Sequence, residues 1–299
     1  MKTAILGAGK MGVWFAKFCK ENGEKVVLAD RKADKLSKLG SELGVETTAD
    51  FIEAVKSAEL IIICVSISSF EEVVKKIAPY TRDTQVVMDI CSVKEYPVKV
   101  MHENIKHGLT LGTHPLFGPG SSGVKDKAYI LTPTNPEEEK YAEKFKGWLE
   151  KVEAHVFIMS PKKHDELISV VLGLPHFLGL AAAETLVERK DFSETKEIAG
   201  TTYRMLFTLA EVTALETPDL YANLQTKLSD FAIEDLFMAK AQEWLDLVKS
   251  KDADAIMKRM ERLKDKLKEA DPEFAKSYEA MYKMLEATEN NQHIKSSNQ

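Results

Sequence analysis

Several features are scarce in this sequence of 299 residues, and each scarcity narrows the class of protein. Cysteine occurs only at Cys19, Cys64 and Cys91, without a CxxC pair, which excludes a disulfide framework or zinc knuckle and suits a reducing cytosol. Basic residues number 41 against 47 acidic ones, and this net charge of −6 argues against a nucleic-acid partner. Met1 and Lys2 lead directly into an apolar run, so no signal peptide is expected. We predict a cytoplasmic protein without a metal site.

Long hydrophobic runs are also scarce. The longest uncharged run, residues 167–183, is at the lower limit for a membrane span and contains Gly173, Pro175 and His176. We therefore predict a buried helix and no membrane association. A helix that is apolar on nearly all sides must be surrounded, so the run also predicts a homodimer in which a second subunit covers it.

In the first half of the chain, seven short apolar runs alternate with helix-like segments, which predicts a doubly wound parallel sheet in an α/β domain. The runs are Thr3–Leu6, Lys25–Ala29, Ala58–Val65, Gln85–Ile90, Thr110–Thr113, Ala128–Thr132 and His155–Met159. After Met159 the pattern is helical, and Ser160 followed by Pro161 is typical of a helix start. We predict a sheet domain over residues 1–159, an all-α domain over 160–288 and a frayed tail over 289–299.

The stretch "ILGAGKMG" places three glycines directly after the first predicted strand and at the start of a helix. This G-x-G-x-x-G pattern is typical of a dinucleotide-binding Rossmann domain, in which the glycines allow a tight turn and close approach of a pyrophosphate. An acid at the end of the second strand accepts hydrogen bonds from the adenosine ribose and disfavours a 2′-phosphate, which favours NAD. The predicted cofactor-binding residues are Gly7, Ala8, Gly9, Lys10, Met11, Gly12, Asp30, Arg31 and Val65. The alternatives are NADP, since Arg31 and Lys32 are cationic, and a glycine-rich turn without a ligand.

Two further stretches, "DICSVKEYP" and "LGTHPLFGPG", follow the fourth and fifth predicted strands. Ligands of open α/β sheets bind beyond the carboxyl ends of the strands. Ser92, Lys94 and His114 are therefore expected to converge on one pocket, with His114 in a loop that faces the redox ring of the cofactor.

The motifs "DICSVK", "GTHPLFGPG", "ILTP" and "HD…LPH" occur in an order that resembles the prephenate dehydrogenases, over Lys2 to about Leu228. The resemblance implies an oxidoreductase of tyrosine biosynthesis that uses NAD or NADP. It would oxidatively decarboxylate prephenate to 4-hydroxyphenylpyruvate, or arogenate to tyrosine. It also implies a substrate-binding helical domain that forms the dimer.

The resemblance assigns roles to individual residues. His114 matches the catalytic histidine, and a neutral imidazole suits a group that bonds the substrate hydroxyl at neutral pH. Ser92 matches the serine that hydrogen-bonds the reacting end, and Lys94 a position near the substrate carboxylates. His176 matches a residue of the pocket wall. Arg204 is a candidate carboxylate clamp because its planar guanidinium binds carboxylates bidentately.

Each of these residues also has a structural interpretation. His114 could be satisfied by backbone groups, and Ser92 could cap the next helix. Lys94 could be a solvated lysine in a first helical turn, His176 a buried histidine, and Arg204 the partner of a nearby acid. We expect His164 to be a structural residue at a helix start.

The pattern departs from the family at two points. Leu172 and Gly173 precede "LPH" where one branch of the family has Ser-His. A substrate-binding arginine occurs one or two turns after Arg204 in well-known branches, where this chain has Thr208 and Val212. This leaves the choice between prephenate and arogenate open.

Two rival functions remain. A β-hydroxyacid dehydrogenase or imine reductase would have the same two halves, but the former needs a lysine on the interdomain helix, and none occurs between His164 and Glu188. A nucleotide-sensing or scaffold protein with an inactive site would bind cofactor without turnover.

Overall fold

The computed structural model describes residues 1–228 and 232–296, with side chains up to Ala287. The chain divides into two compact units, residues 1–173 with 217–230, and residues 174–216 with 231–299. The predicted domain boundary at 159/160 stays a prediction, and the division into compact units falls after Gly173. The first unit takes in the following helix up to Gly173, because Ile168 packs into the core against the sheet.

A sheet of eight strands forms the centre of the first unit, in the order β3-β2-β1-β4-β5-β6-β7-β8. The strands are β1 (Lys2–Leu6), β2 (Lys25–Ala29), β3 (Glu46–Thr48), β4 (Leu60–Ile63), β5 (Val86–Asp89), β6 (Leu109–Pro115), β7 (Ala128–Thr132) and β8 (His155–Ile158). The predicted Rossmann architecture is confirmed. The sheet is parallel as predicted except at one place, where β6 and β7 are antiparallel. The sequence pattern also missed β3, whose three residues "ETT" contain no apolar side chain.

Fourteen α-helices occur in the described residues. They are α1 (Lys10–Glu21), α2 (Ala33–Leu43), α3 (Phe51–Ser57), α4 (Ile67–Ile77), α5 (Glu95–Asn104), α6 (Pro136–Lys151), α7 (Pro161–Ile168), α8 (Leu174–Val187), α9 (Phe192–Glu197), α10 (Thr201–Leu215), α11 (Pro218–Lys227), α12 (Ala232–Ser250), α13 (Ala253–Ala270) and α14 (Ser277–Ser296). The backbone of α14 is helical to Ser296. The frayed tail over residues 289–299 stays a prediction. Its last residues, 297–299, lie outside the described residues.

The sheet is buried on both faces. Along β4, Ile61 and Ile63 join Phe70 of α4 in one core, while Ile62 points to the opposite face and joins Phe15 of α1 in a second core. Each fully buried side chain of this size stabilises the fold by roughly 1.5–3 kcal/mol relative to exposure. The near-continuous isoleucines of β4 are therefore explained by two apolar surroundings, as in other parallel sheets.

The apolar run 167–183 is interrupted by a π-helical turn over Ser169–Gly173, directly before Pro175. Proline has no backbone N–H to donate, which favours such a break in the helical hydrogen bonding. The start of α7 is as predicted, because the Ser160 side chain accepts a hydrogen bond from the Lys163 amide at 3.2 Å.

The run 167–183 is only partly buried within one chain. By length and composition, the helical stretch Pro161–Val187 could cross a membrane, and only 22% of its most apolar part is buried within the chain. Val171 is 59% exposed, in accordance with the expectation that a single chain does not cover this helix. An apolar surface of this kind on one chain marks an interaction surface.

In the second unit, α8 packs along α10 at close range. A Cβ atom on Gly179 would lie 2.4 Å from Thr213 Oγ1, so glycine is required for the two helices to approach this closely. This contact fixes the relative position of the helices that carry His176 and Arg204.

Candidate active site

The glycine loop between β1 and α1 has the geometry that its sequence predicts. Gly7 has a φ of +111°, and a Cβ there would lie 2.7 Å from the Cys64 carbonyl oxygen. A Cβ on Gly12 would lie 1.8 Å from the Gly7 carbonyl oxygen, so only glycine lets α1 start this close to the loop. A Cβ on Gly9 would meet nothing within 4 Å. The open side of the loop is therefore at Gly9, the N-terminal cap of α1, where backbone amides attract an anion.

Asp30 is fixed against this loop. One of its carboxylate oxygens accepts a hydrogen bond from the Ala8 amide at 2.7 Å, and the other accepts from the Lys32 amide at 3.0 Å. Arg31 is exposed and lies 3.9 Å from Glu72. The Asp30 carboxylate thus lies beside the glycine loop, at the end of β2. The nearest carboxylate to Arg31 is that of the exposed Glu72.

A cleft of about 840 Å³ opens beside the glycine loop. Its walls come from the loop, from the start of α1, from α2 and from the segment that follows β6; Gly9, Lys10, Asp34, Lys35, Pro119 and Gly120 are among the lining residues. Val65, which follows β4, is half-buried. The segment after the histidine therefore forms part of the wall of the cleft next to the glycine loop.

Trp14 connects α1 to that segment. Its indole Nε1 donates a hydrogen bond to the Ser121 carbonyl oxygen at 2.7 Å, and its ring lies 4.8 Å from the ring of Phe117. Since α1 begins at the glycine loop, this contact holds the segment after β6 in a fixed position beside the cleft.

His114 lies within strand β6. The expectation that it lies in a loop is wrong. His114 pairs with Ile130 of β7 in the antiparallel register and is only 4% exposed. The strand extends past Thr113 because β7 supplies backbone partners up to Pro115. A strand position orients an imidazole more rigidly than a loop does.

Lys94 lies in the core of the first unit, where it is ion-paired. Its side chain is fully buried, its ammonium is ion-paired with Asp89, and it donates a hydrogen bond to the Thr113 carbonyl oxygen at 2.5 Å. The alternative of a solvated lysine is wrong. The ammonium is directed into the core because Asp89, at the end of β5, is buried and needs a cationic partner. Lys94 thus forms an ion pair that supports β6 next to His114, and its contact with the substrate carboxylates stays a prediction.

His164, which we expect to be a structural residue at a helix start, contacts His114. His114 Nδ1 lies 2.8 Å from His164 Nε2, and His164 Nδ1 lies 2.7 Å from Asp165 Oδ1. Burial lowers the pKa of His114 well below its ordinary value, helped by His164 and Lys94, and burial also lowers the pKa of His164. Both imidazoles are therefore neutral near pH 7. The pair "HD" at a helix start was the available signal, but its 50-residue distance from His114 along the chain concealed the contact.

Ser92 is half-buried in the segment between β5 and α5. The alternative that it caps α5 is wrong, because Lys94 occupies the cap position. The carboxylate of Asp165 caps the helix instead, accepting hydrogen bonds from the Lys94 amide at 2.7 Å and the Glu95 amide at 2.9 Å. The Ser92 segment and the two histidines are thereby connected through one carboxylate.

His176 and Arg204 belong to the second unit, on α8 and α10, and both are half-buried. Their proposed contacts with a substrate stay predictions. Among the described residues, no group of three His, Cys, Asp or Glu side chains has the arrangement of a metal site.

The glycine loop between strand and helix and the acid at the end of β2 define a nucleotide-binding α/β protein. The same unit holds the buried contact between His114 and His164. Comparison with family models identifies it further. The nucleotide-binding domain of prephenate dehydrogenase matches residues 15–158, and the prephenate dehydrogenase dimerization domain matches residues 160–262. The chain belongs to the prephenate dehydrogenase family.

Individual relatives agree with this assignment. A probable arogenate/prephenate dehydrogenase of Methanocaldococcus jannaschii is 33% identical over 86% of this chain and 59% of its own length. The prephenate dehydrogenase of Bacillus subtilis is 27% identical over 77% of this chain and 66% of its own length. The chain thus spans about three fifths to two thirds of these relatives.

A solved structure has the same fold. The crystal structure of prephenate dehydrogenase from A. aeolicus, in complex with hydroxyphenyl propionate and NAD+, superposes with a TM-score of 0.76. The two chains are 24% identical, and the superposition covers 91% of this chain and 98% of that one.

Proposed function

We propose that this protein is an NAD-dependent dehydrogenase that converts prephenate to 4-hydroxyphenylpyruvate and carbon dioxide in the synthesis of tyrosine. The observation that carries the proposal is the buried, neutral His114, held by His164 in the same unit as an open glycine loop. The membership of both halves of the chain in one dehydrogenase family supports it.

The glycine loop fits a dinucleotide. A Cβ-sized space is open at Gly9, and the first amides of α1 have no side-chain cap, so they are available to a pyrophosphate. Asp30 would accept hydrogen bonds from the ribose hydroxyls, which favours NAD, and the bound nicotinamide supplies the hydride acceptor. NADP is the alternative because Arg31 is solvated and near the same position. The relative from A. aeolicus has NAD+ in its crystal structure.

The proposed reaction transfers a hydride from the hydroxyl-bearing ring carbon of the substrate, and the ring carboxylate leaves as carbon dioxide. The electron pair of the broken carbon–carbon bond completes the aromatic ring, and the hydroxyl becomes the phenol of the product. While the ring carbon is carbonyl-like, the hydroxyl proton needs an acceptor. A neutral imidazole meets this need, and His114 is kept neutral by burial.

The other predicted residues would orient the substrate. Ser92 is placed between β5 and α5, at the carboxyl end of the sheet where ligands of such folds bind, and would bond the reacting end. Arg204 would bind a substrate carboxylate, and His176 would form part of the pocket wall. Lys94 would support β6 from within the core, in accordance with its ion pair to Asp89.

We further propose a cytoplasmic homodimer formed through the helical domain. The match to a dimerization domain and the exposed apolar residues of the 161–187 stretch, including Val170 and Val171, support it. The three free cysteines suit a reducing compartment. Light scattering should give twice the mass of 33.5 kDa, and a mass equal to one chain would refute the dimer.

Arogenate is the second candidate substrate, giving tyrosine directly. The name of the M. jannaschii relative includes both substrates. The comparable positions to the family arginine are Thr208 and Val212, so carboxylate recognition in this chain has to come from elsewhere, and Arg204 is our candidate.

The test is direct. The purified protein is mixed with NAD or NADP and with prephenate or arogenate, and the absorbance of the reduced nicotinamide is followed. Turnover with NAD and prephenate is expected. Cofactor binding without turnover on either substrate would favour the inactive nucleotide sensor, and turnover on a β-hydroxyacid alone would favour that rival.

A further inference from the structure

We propose that His164 and Asp165 are positioning residues that hold the proton of His114 on Nδ1, so that Nε2 presents its lone pair to the substrate hydroxyl. The catalytic meaning of this arrangement rests on the proposed function. The arrangement itself follows from hydrogen bonds within one compact unit, and it can be measured without turnover.

The direction of the hydrogen bonds is set at Asp165. Its Oδ1 accepts from the Lys94 amide at 2.7 Å and its Oδ2 accepts from the Glu95 amide at 2.9 Å. A carboxylate has no proton to donate, and this one already accepts from two amides at the start of α5. The contact of 2.7 Å between Asp165 Oδ1 and His164 Nδ1 therefore needs the proton on His164 Nδ1.

The next step follows from the neutral state of His164. Its ring is fully buried, which disfavours a second proton, so Nε2 carries a lone pair. His114 Nδ1, 2.8 Å away, must then donate to it. Because burial also keeps His114 neutral, its remaining nitrogen, Nε2, has no proton. The opposite direction would require either a protonated Asp165 or a buried imidazolium.

Asp165 serves two parts of the site at once. Through His164 it sets the tautomer of His114, and through the two amides it anchors the start of α5, directly after the Ser92 segment. The distance between the proposed hydroxyl acceptor and the proposed substrate serine is thus determined by one buried carboxylate. A loss of His164 should change the tautomer alone, whereas a loss of Asp165 should also displace Ser92.

The first experiment reads the tautomer by nuclear magnetic resonance of the full-length protein labelled with ¹⁵N-histidine. Long-range ¹H–¹⁵N correlations distinguish protonated from bare ring nitrogens. We expect His114 and His164 each to be protonated on Nδ1 and bare on Nε2 at pH 7.5. His107→Gln, which removes an exposed histidine, is the assignment control. A proton on His114 Nε2 would overturn the proposal, whether or not the enzyme turns over prephenate.

The second experiment compares His164→Phe with His164→Gln. Phenylalanine removes the acceptor for His114 Nδ1, whereas the amide oxygen of glutamine can still accept. In serine proteases the loss of the tautomer-setting residue costs about 10⁴-fold in kcat. We expect roughly a 10- to 1,000-fold lower kcat for the phenylalanine variant with KM almost unchanged, and partial recovery with glutamine.

Equal kcat in the two variants and the wild type would overturn the proposal, as would a loss confined to KM. If His164→Phe does not fold, the wild-type spectrum and the glutamine variant still decide the matter. If the wild type has no prephenate activity, the proposed function fails, and the spectrum separately decides the arrangement of protons.

Discussion

Trp14 Nε1 donates a hydrogen bond to the Ser121 carbonyl oxygen across 2.7 Å, and this contact joins the glycine-loop helix to the segment that follows the histidine strand. The two residues are 107 positions apart in the chain. This hydrogen bond connects the predicted cofactor site at the start of α1 to the wall of the cleft.

Trp14→Phe should loosen this connection. The ring would still stack on Phe18 and contact Phe117, but the hydrogen bond would be lost, at a cost of roughly 0.5–1.5 kcal/mol in the free energy of unfolding. We expect a higher Kd for NAD, measured by titration calorimetry. Trp148→Phe, in the adjoining aromatic cluster, is the matched control and should leave the Kd unchanged. An equal Kd in both variants would contradict the connection.

The glycines of the loop should respond differently to alanine. Gly9→Ala puts a methyl group into open space where the pyrophosphate is expected, so the protein should fold with a loss of no more than about 1 kcal/mol. The Kd for NAD should rise about tenfold or more, equivalent to about 1.4 kcal/mol. Gly12→Ala should destabilise by about 3 kcal/mol or more, because its Cβ would meet the Gly7 carbonyl oxygen at 1.8 Å. Unimpaired NAD binding by the Gly9→Ala variant would argue against a pyrophosphate site at Gly9.

Lys94→Met separates the structural from the substrate-binding role of that lysine. It leaves Asp89 buried without its cation, which should cost roughly 3–5 kcal/mol in chemical denaturation. Lys99→Met, at an exposed position of the same helix, should cost less than about 0.5 kcal/mol. A Lys94→Met protein with unchanged stability and a raised KM for prephenate would support the predicted substrate contact instead.

The pH dependence of turnover should reflect the neutral His114. Desolvation lowers its pKa well below the ordinary value of about 6.5, and His164 and Lys94 lower it further. Asp165 and Asp89 are the nearby carboxylates, and their charge is taken up by backbone amides and by the Lys94 ammonium. In the proposed mechanism the neutral form of His114 is the active one, so kcat/KM should stay level as the pH falls to about 6.5 and decline only below that. A half-maximal rate at or above this pH would contradict the assignment.

A second titration concerns stability. The hydrogen bond to Glu138 raises the pKa of His102, so its contribution is complete below the unfolded-state pKa of about 6.5 and is lost as the pH rises through the folded value. Burial raises the pKa of Glu138, but hydrogen bonds from His102, Thr110 and Thr134 outweigh it, so its contribution is lost in acid. The Tm difference between wild type and His102→Gln should be largest near pH ~5.5 and shrink towards pH ~8. His107→Gln, at an exposed ion pair, should show a smaller difference. A Tm difference that grows as the pH rises would contradict this prediction.

Local sequence patterns are sufficient to predict the α/β architecture and the conformation of the glycine loop. The spacing of the three glycines, Gly7, Gly9 and Gly12, indicates where the loop has no room for a side chain or must leave space for a ligand. The successive isoleucines of β4 predict a strand that is buried on both faces. The Ser160 cap is likewise a contact over three residues. These features depend on neighbours within one turn or one strand, where the chain itself fixes the geometry.

The hydrogen-bond and ion-pair partners of the buried polar side chains depend on contacts that form only when the chain folds. Lys94 was assigned to substrate from its motif, yet the buried Asp89 five residues earlier neutralises it. The helix-start pattern predicts a structural role for His164, and folding brings it from 50 positions away to hydrogen-bond His114. The antiparallel pairing of β7 also extended β6 through the histidine. A buried charge or imidazole is satisfied by whichever group packing brings within about 3 Å, and this selection is made by the assembled core, because residues far apart in sequence become neighbours only there.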